Sequence, residues 1–345
     1  MIVAELPPAE LQRRLDGPGL RVRMGPLAVS VRAPIRRIRA AMALHYGAHE
    51  VLDGGTFADF DIRIPAEFKR IVLTNAELNK LASGMKFLEG PVWVKEGGGH
   101  LIFSNIPDNE LKKWDPAGGL TTFRTETHSA NGNCLDRKGR LISCEGGARR
   151  VSITRDDGSV VVLVDQIGGK RFNAPNDVVV RSDGSVWFSD PDYGLGKNMA
   201  EVPGMYVYRL EPKSKKITAV VTDCDHPNGL CFSPDEKLLY VADSGKPHHI
   251  RVYDVDKAGT TSNGRIFCVI DKGVPDGIRC DTAGRVFSSA GDGVQIFDVK
   301  GDLIGKILVP ETPANLCFGG KNHHTLFITA RTSLYSIDVL VKGDK

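Results

Sequence analysis

One phrase returns six times after residue 85, and it constrains the fold more than any other feature of the chain. It reads LEGPVWV (88–94), ANGNCLD (130–136), PNDVVVR (175–181), PNGLCFS (227–233), PDGIRCD (275–281) and ANLCFGG (314–320). Each copy carries a polar anchor, in turn Glu89, Asn131, Asn176, Asn228, Asp276 and Asn315, spaced 39 to 52 residues apart. Each then runs into three to five mostly apolar residues and a Gly- or Asp-bearing turn. A second apolar run follows: LIFSN, LISCE, VWFSD, LLYVAD, VFSSA or TLFIT. Third runs such as MYVYRL, IRVYDV and SLYSID, and fourth runs such as ITAVVTD and RIFCVID, complete most units. Short runs rich in β-branched and aromatic residues, punctuated by turn residues, are strands. A period near 45 with four strands per unit is the mark of propeller blades. The chain is therefore expected to be all-β, a six-bladed β-propeller with four-stranded blades.

The sixth unit stops after three strands, near Val339. A closed ring cannot leave that edge unpaired. The segment ELNKLASG (77–84) reads as an outermost strand without a partner, so it is expected to complete the last blade. This divides the chain into a propeller over 76–345 and an N-terminal extension over 1–75, partly helical or flexible. In the extension PAELQRRLDG reads as a short helix, while RVRMGPLAVSVRAPIRRIRA (21–40) holds six Arg and no acid. That composition reads as a solvated arm, and Met42 is an alternative start.

Composition excludes several classes. Lys and Arg number 45 against 42 Asp and Glu, a net charge of +3, which gives no basis for nucleic-acid or anionic-membrane binding. No apolar stretch reaches the roughly 18–20 residues of a membrane span, and the first twenty residues lack a signal-peptide core. A cytoplasmic protein is expected, its oligomeric state left open. The seven Cys contain no C-x-x-C, and Cys134, Cys231, Cys280 and Cys317 lie inside apolar runs, as small core residues do. There is no G-x-S-x-G, H-E-x-x-H, P-loop, EF-hand loop or strand–G-x-G-x-x-G–helix.

In a propeller the first strand of each blade lines the central channel. The six anchors then form a ring of oxygen-bearing side chains at one mouth. Two are carboxylates, and crowding them is costly unless a cation sits among them. A hard dication with oxygen ligands fits; no His or Cys shares the register, which speaks against a dedicated zinc site.

EGPVW (89–93), RFNAPNDVVVRSDGSVWFSDPDYGL (171–195), HPNGLCFSPDEKLLYVAD (226–243), VPDGIRCD (274–281) and PANLCFGG (313–320) together resemble the SMP-30/gluconolactonase family, most closely its bacterial gluconolactonases. The resemblance spans about residues 80–340. It implies a six-bladed propeller with one central divalent ion that hydrolyses sugar lactones such as glucono-1,5-lactone. By motif it assigns the metal to Glu89, Asn176, Asn228 and Asp276, and leaves Asn131 and Asn315 for substrate or water. Ca²⁺ is the favoured ion, with Mg²⁺, Mn²⁺ or Zn²⁺ as alternatives. Two positions depart from the family pattern: Asp192 replaces Pro in DPDYG, and Gly146 stands where EGGARR would carry His. Both bear on substrate identity rather than on the ion.

The expected chemistry is water attack on the lactone carbonyl, with Asp276 as general base or, alternatively, as nucleophile. His128, Arg149 and Tyr193 are further substrate-binding candidates on mouth loops. Asp177 is expected to hold its strand, and His226 to be loop structure. The pairs His248–His249 and His323–His324 are expected in exposed turns. Other readings on the same scaffold are an esterase or organophosphate hydrolase, or a propeller that only binds a partner.

Overall fold

The computed structural model describes residues 20–24, 27–31, 50–51, 66–73, 76–196 and 199–344. Six four-stranded antiparallel sheets stand around one axis. Their innermost strands are Leu88–Val94, Ala130–Leu135, Val178–Val180, Pro227–Phe232, Ile278–Cys280 and Pro313–Gly319, the repeated phrase in each case. These define blades I to VI. Each innermost strand neighbours the next, and that of blade VI returns to that of blade I. The ring is closed by Asn79–Ala82, which pairs antiparallel with Ser333–Asp338 in the register Leu334↔Ala82. Blade VI thus draws its outer strand from the N-terminal side, as expected.

The burial pattern explains the sequence pattern. Second strands such as Val186–Asp190 and Val286–Ala290 are buried throughout, because blades cover both of their faces. Outer strands such as Val160–Val164 are only partly covered. Aromatic pairs fill the seams between blades. Trp187 of blade III meets Phe232 of blade IV edge-on with centroids 5.2 Å apart, and Trp93 of blade I stacks on Phe327 of blade VI at 5.2 Å. Such pairs contribute about 0.5–1.5 kcal/mol beyond their area.

The glycine after an anchor has a packing reason. A Cβ on Gly90 would stand 2.1 Å from the carbonyl oxygen of Asn131, and one on Gly229 would stand 2.1 Å from that of Asp276. Only glycine lets one blade's inner strand come this close to the next blade's anchor.

Several expectations need correction. Residues upstream of 76 pack against the propeller. Ala66–Lys69 is a short helix, and Phe68, Ile71 and Val72 are buried in one cluster with Ile296, Ile307, Leu316 and Ile337 of blades V and VI. The Phe68 ring lies where Gly305 has no side chain, and Leu340 N–H donates to Ile71 O at 2.8 Å. The F-x-x-I-V spacing, one helical face, carried that signal. Leu20–Met24 and Leu27–Val31 pair as antiparallel strands, with Glu50–Val51 on the other side of the first, rather than forming an irregular arm. The helix expected over PAELQRRLDG and the rest of the arginine-rich stretch lie outside the described residues. His249 is not in an exposed turn: it begins a strand, is buried, and places Nε2 3.5 Å from Asp243 Oδ2. His323 is half-buried, with both ring nitrogens enclosed. All seven cysteines are free thiols, five of them buried. Among the described residues no helix is long and apolar enough to cross a membrane.

Candidate active site

A cavity of about 540 Å³ opens at one mouth of the channel. Glu89, Asn131, Asn176, Asn228 and Asp276 all line it, together with Tyr193. Four anchors, Glu89, Asn131, Asn228 and Asn315, lie within innermost strands. Asn176 and Asp276 precede theirs, but the ladder already holds them: Asn176 N–H donates to Ser189 O at 2.9 Å, and Ser289 N–H donates to Gly277 O at 3.0 Å.

Asn315, the sixth anchor, does not line the cavity. Its Nδ2 donates to Glu89 Oε2 at 2.9 Å, and Gly90 N–H donates to the same oxygen at 2.8 Å. Both bonds act on one oxygen of Glu89. Asn228 Nδ2 donates to Ser244 Oγ at 3.0 Å, and Ser244 Oγ donates in turn to Pro275 O at 2.5 Å, beside Asp276. Ser244 therefore orients the Asn228 amide, and it lines the cavity as well. The sequence reading missed it; its only signal was its place directly after the second strand LLYVAD.

Burial pushes the Glu89 carboxyl up to about 7, with Asp177 adding repulsion and the Asn315 bond opposing it. Asp276 is raised well above the usual carboxylate range, first by burial, then by Glu89 and Asp177, while a hydrogen bond from Asn228 works the other way. Below them Asp177 Oδ2 lies 3.4 Å from Arg279 Nη1, and Asp177 Oδ1 accepts from Val178 N–H at 2.9 Å, the strand-holding role expected of it. Arg279 lines a second cavity, of about 580 Å³, at the opposite end of the channel. That cavity holds none of the anchors.

The donor set fits a hard cation. Buried Glu89 and half-buried Asp276 present carboxyls to the cavity, Asn176 and Asn228 add amide groups, and Asn131 Oδ1 is buried without any hydrogen-bond partner. An orphaned amide oxygen beside two like-charged carboxyls is costly in a protein interior and is relieved by a positive ligand. Among the described residues no three His, Cys, Asp or Glu side chains gather as a metal cluster, so the oxygens at this mouth are of mixed carboxylate and amide type.

The mouth-loop candidates divide. Tyr193 is half-exposed, lines the cavity, and stacks on His226 with centroids 5.6 Å apart. His226 thereby shapes the mouth without lining it, and its Nε2 lies 3.6 Å from Asp192 Oδ1. His128 is exposed and does not line the cavity, although its neighbour Ser129 does. Arg149 is buried outside the cavity: Nε donates to Phe172 O at 2.6 Å and Nη1 to Glu201 Oε1 at 3.0 Å. It ties a loop of blade II to the entry of blade III. Gly146 does line the cavity, so the side chain absent there leaves room at the mouth.

These features define a six-bladed propeller with a single oxygen-lined mouth carrying an acidic pair. The chain belongs to the SMP-30/gluconolactonase/LRE-like family, whose model matches residues 87–332. A gluconolactonase of Zymomonas mobilis is 32% identical over 88% of this chain and 93% of its own length. A solved gluconolactonase structure from Xanthomonas campestris superposes with a TM-score of 0.75 at 34% identity, covering 80% of this chain and 93% of that one. A pentonolactonase of Haloferax volcanii is 27% identical over 70% of this chain and 80% of its own length.

Proposed function

We propose that the protein is a divalent-metal-dependent lactonase that opens sugar lactones such as glucono-1,5-lactone. The observation that carries this is the convergence of Glu89, Asn176, Asn228 and Asp276 on one cavity beside the unpartnered Asn131 oxygen. The relatives named as gluconolactonases and as a pentonolactonase support the substrate class. The cavity falls within the roughly 300–1,000 Å³ of small-molecule sites.

Glu89, Asn176, Asn228 and Asp276 would hold the ion, most suitably Ca²⁺. When bound, it acts as a Lewis acid on the lactone carbonyl oxygen, an effect worth several kcal/mol. Asp276 takes the proton from the attacking water at a carboxylate oxygen and returns it to the ring oxygen as the acyl C–O bond breaks. The base role requires the ionised form of Asp276, which burial and Glu89 oppose and the hydrogen bond from Asn228 favours. Asn228, oriented through Ser244, holds its amide in register with Asp276. Asn131 and the Ser129 hydroxyl face ring hydroxyls of the sugar, and Tyr193 offers a ring face at the mouth.

The test is proton release from glucono-1,5-lactone, with the parent, with chelator and with Asp276→Ala. Activity is expected only in the metal-loaded parent. Undiminished hydrolysis in the other two samples would refute the mechanism. Single-turnover hydrolysis in ¹⁸O-water separates the two roles of Asp276, because label recovered in its carboxyl would mean direct attack.

A further inference from the structure

The second strand ends on a polar residue in blades I to IV, and in blades I, III and IV that residue is a short one: Asn105, Asp190 and Asp243. All three are buried. Each turns back onto the loop that leads into its own blade's innermost strand. Asn105 Oδ1 accepts from Lys86 N–H at 3.2 Å and Phe87 N–H at 3.5 Å. Asp190 Oδ2 accepts from Asn173 N–H at 2.8 Å, and the Ala174 N–H also bonds this carboxyl. Asp243 accepts from Asp225 N–H at 2.9 Å and His226 N–H at 2.8 Å, one on each oxygen. Counted from Glu89, Asn176 and Asn228, the tethered amides are the third and second residues upstream in every case.

The other blades do without this tether. In blade II, Glu145 points instead to Arg150 and Ser152, and the Ser129 amide before Asn131 bonds Asn109 of blade I. Blade VI has Ala330 at the position, and blade V has Ala290. In blade V the backbone takes over: Gly291 N–H donates to Lys272 O at 2.8 Å, and a Cβ on Gly273 would stand 2.5 Å from the Gly291 backbone. The side-chain tether thus falls on three of the four anchors assigned to the ion and is absent from the blades of Asn131 and Asn315.

We propose that Asn105, Asp190 and Asp243 are positioning residues that fix the entry of each ligand-bearing strand, so that Glu89, Asn176 and Asn228 meet one cation with little rearrangement. This rests on the metal-dependent reading of the site. Short side chains have few rotamers, so a bond from them fixes a backbone amide at small entropic cost. Partners that orient metal ligands typically change affinity 10–100-fold when lost.

The experiment is calorimetric titration of the full chain with Ca²⁺ for the parent, Asp190→Ala, Asp190→Asn and Asp243→Ala, with melting curves in chelator and amide hydrogen exchange over 172–176 and 224–228. Asp190→Ala and Asp243→Ala are expected to bind Ca²⁺ at least tenfold more weakly and to exchange faster in the tethered loop. Asp190→Asn keeps the accepting oxygen and is expected within about threefold of the parent. Alanine variants that fold and match the parent in affinity and exchange would overturn the proposal. If the parent itself binds no divalent ion, the metal reading falls, and exchange then decides the tether alone: unchanged protection in both loops would overturn it.

Discussion

Asn315 donates its side-chain N–H to Glu89 Oε2 across the seam between the last blade and the first, at 2.9 Å. The bond joins residues 226 positions apart and holds one end of the acidic pair. It favours the charged form of Glu89, so its removal moves that carboxyl further up from about 7. Asn315→Ala is expected to shift the acid limb of the pH–rate profile to higher pH and to weaken Ca²⁺ binding. A pH–rate series on parent and variant checks this, and an unmoved acid limb would deny Asn315 its role.

Ser244 is the link between Asn228 and the backbone beside Asp276. Ser244→Ala removes two hydrogen bonds at a half-buried site. With a typical hydrogen bond worth about 0.5–1.5 kcal/mol, kcat/KM is expected to fall roughly tenfold. Steady-state kinetics would show it, and a melting curve would show a stability loss of about 1–3 kcal/mol from the two bonds.

Asp190 gives a pH dependence of stability with a definite sign. Burial raises its carboxyl from 3.8 to about 7, against bonds from Asn173 and Ala174 N–H and the attraction of Arg149. A raised folded-state value means the folded chain binds the extra proton. The contribution is therefore full below about pH 4 and lost as pH rises through about 7, at ~1.4 kcal/mol per pKa unit. Asp190→Asn removes this loss, so its Tm relative to the parent is expected to rise from about pH 4 to about pH 7 and to level off above that. A constant Tm difference over that range would contradict the assignment.

Phe68 decides where the propeller begins. A chain starting at residue 76 lacks Phe68, Ile71 and Val72 from the cluster of blades V and VI. Phe68→Ala alone is expected to cost about 3–5 kcal/mol. Removing residues 1–41 is expected to leave activity intact. Denaturant melts of the three proteins test the order.

The thiols should be inert in the folded protein. Burial raises Cys268 and Cys317 to about 12, and Cys280 is raised further by its contact with Cys231, Sγ to Sγ 3.6 Å. Few of the seven are expected to react with a thiol reagent before unfolding, and all seven after it. Rapid native labelling of Cys231 or Cys280 would show that the inner strands open.

The anchors were readable because propeller symmetry writes the same register six times, so six polar residues ahead of apolar runs announce a shared mouth. Ser244, Asn105, Asp190 and Asp243 were not readable as site residues. Each looks like the polar end of a strand, and only strand pairing shows which loop it faces. Arg149 misled in the opposite sense: a basic residue on a mouth loop was expected to reach substrate, yet its guanidinium is spent on Phe172 and Glu201.

By itself the sequence determined the number of blades, their four-strand content, the strand borrowed by the last blade and the identity of the anchor residues. These are local or periodic properties, set by alternating apolar runs and turn residues along the chain. The tertiary structure alone decided which anchors line the cavity, that Asn315 serves Glu89, and that Phe68 packs into the core. Those outcomes depend on distances between residues remote in sequence, which closure of the ring fixes and no local pattern encodes.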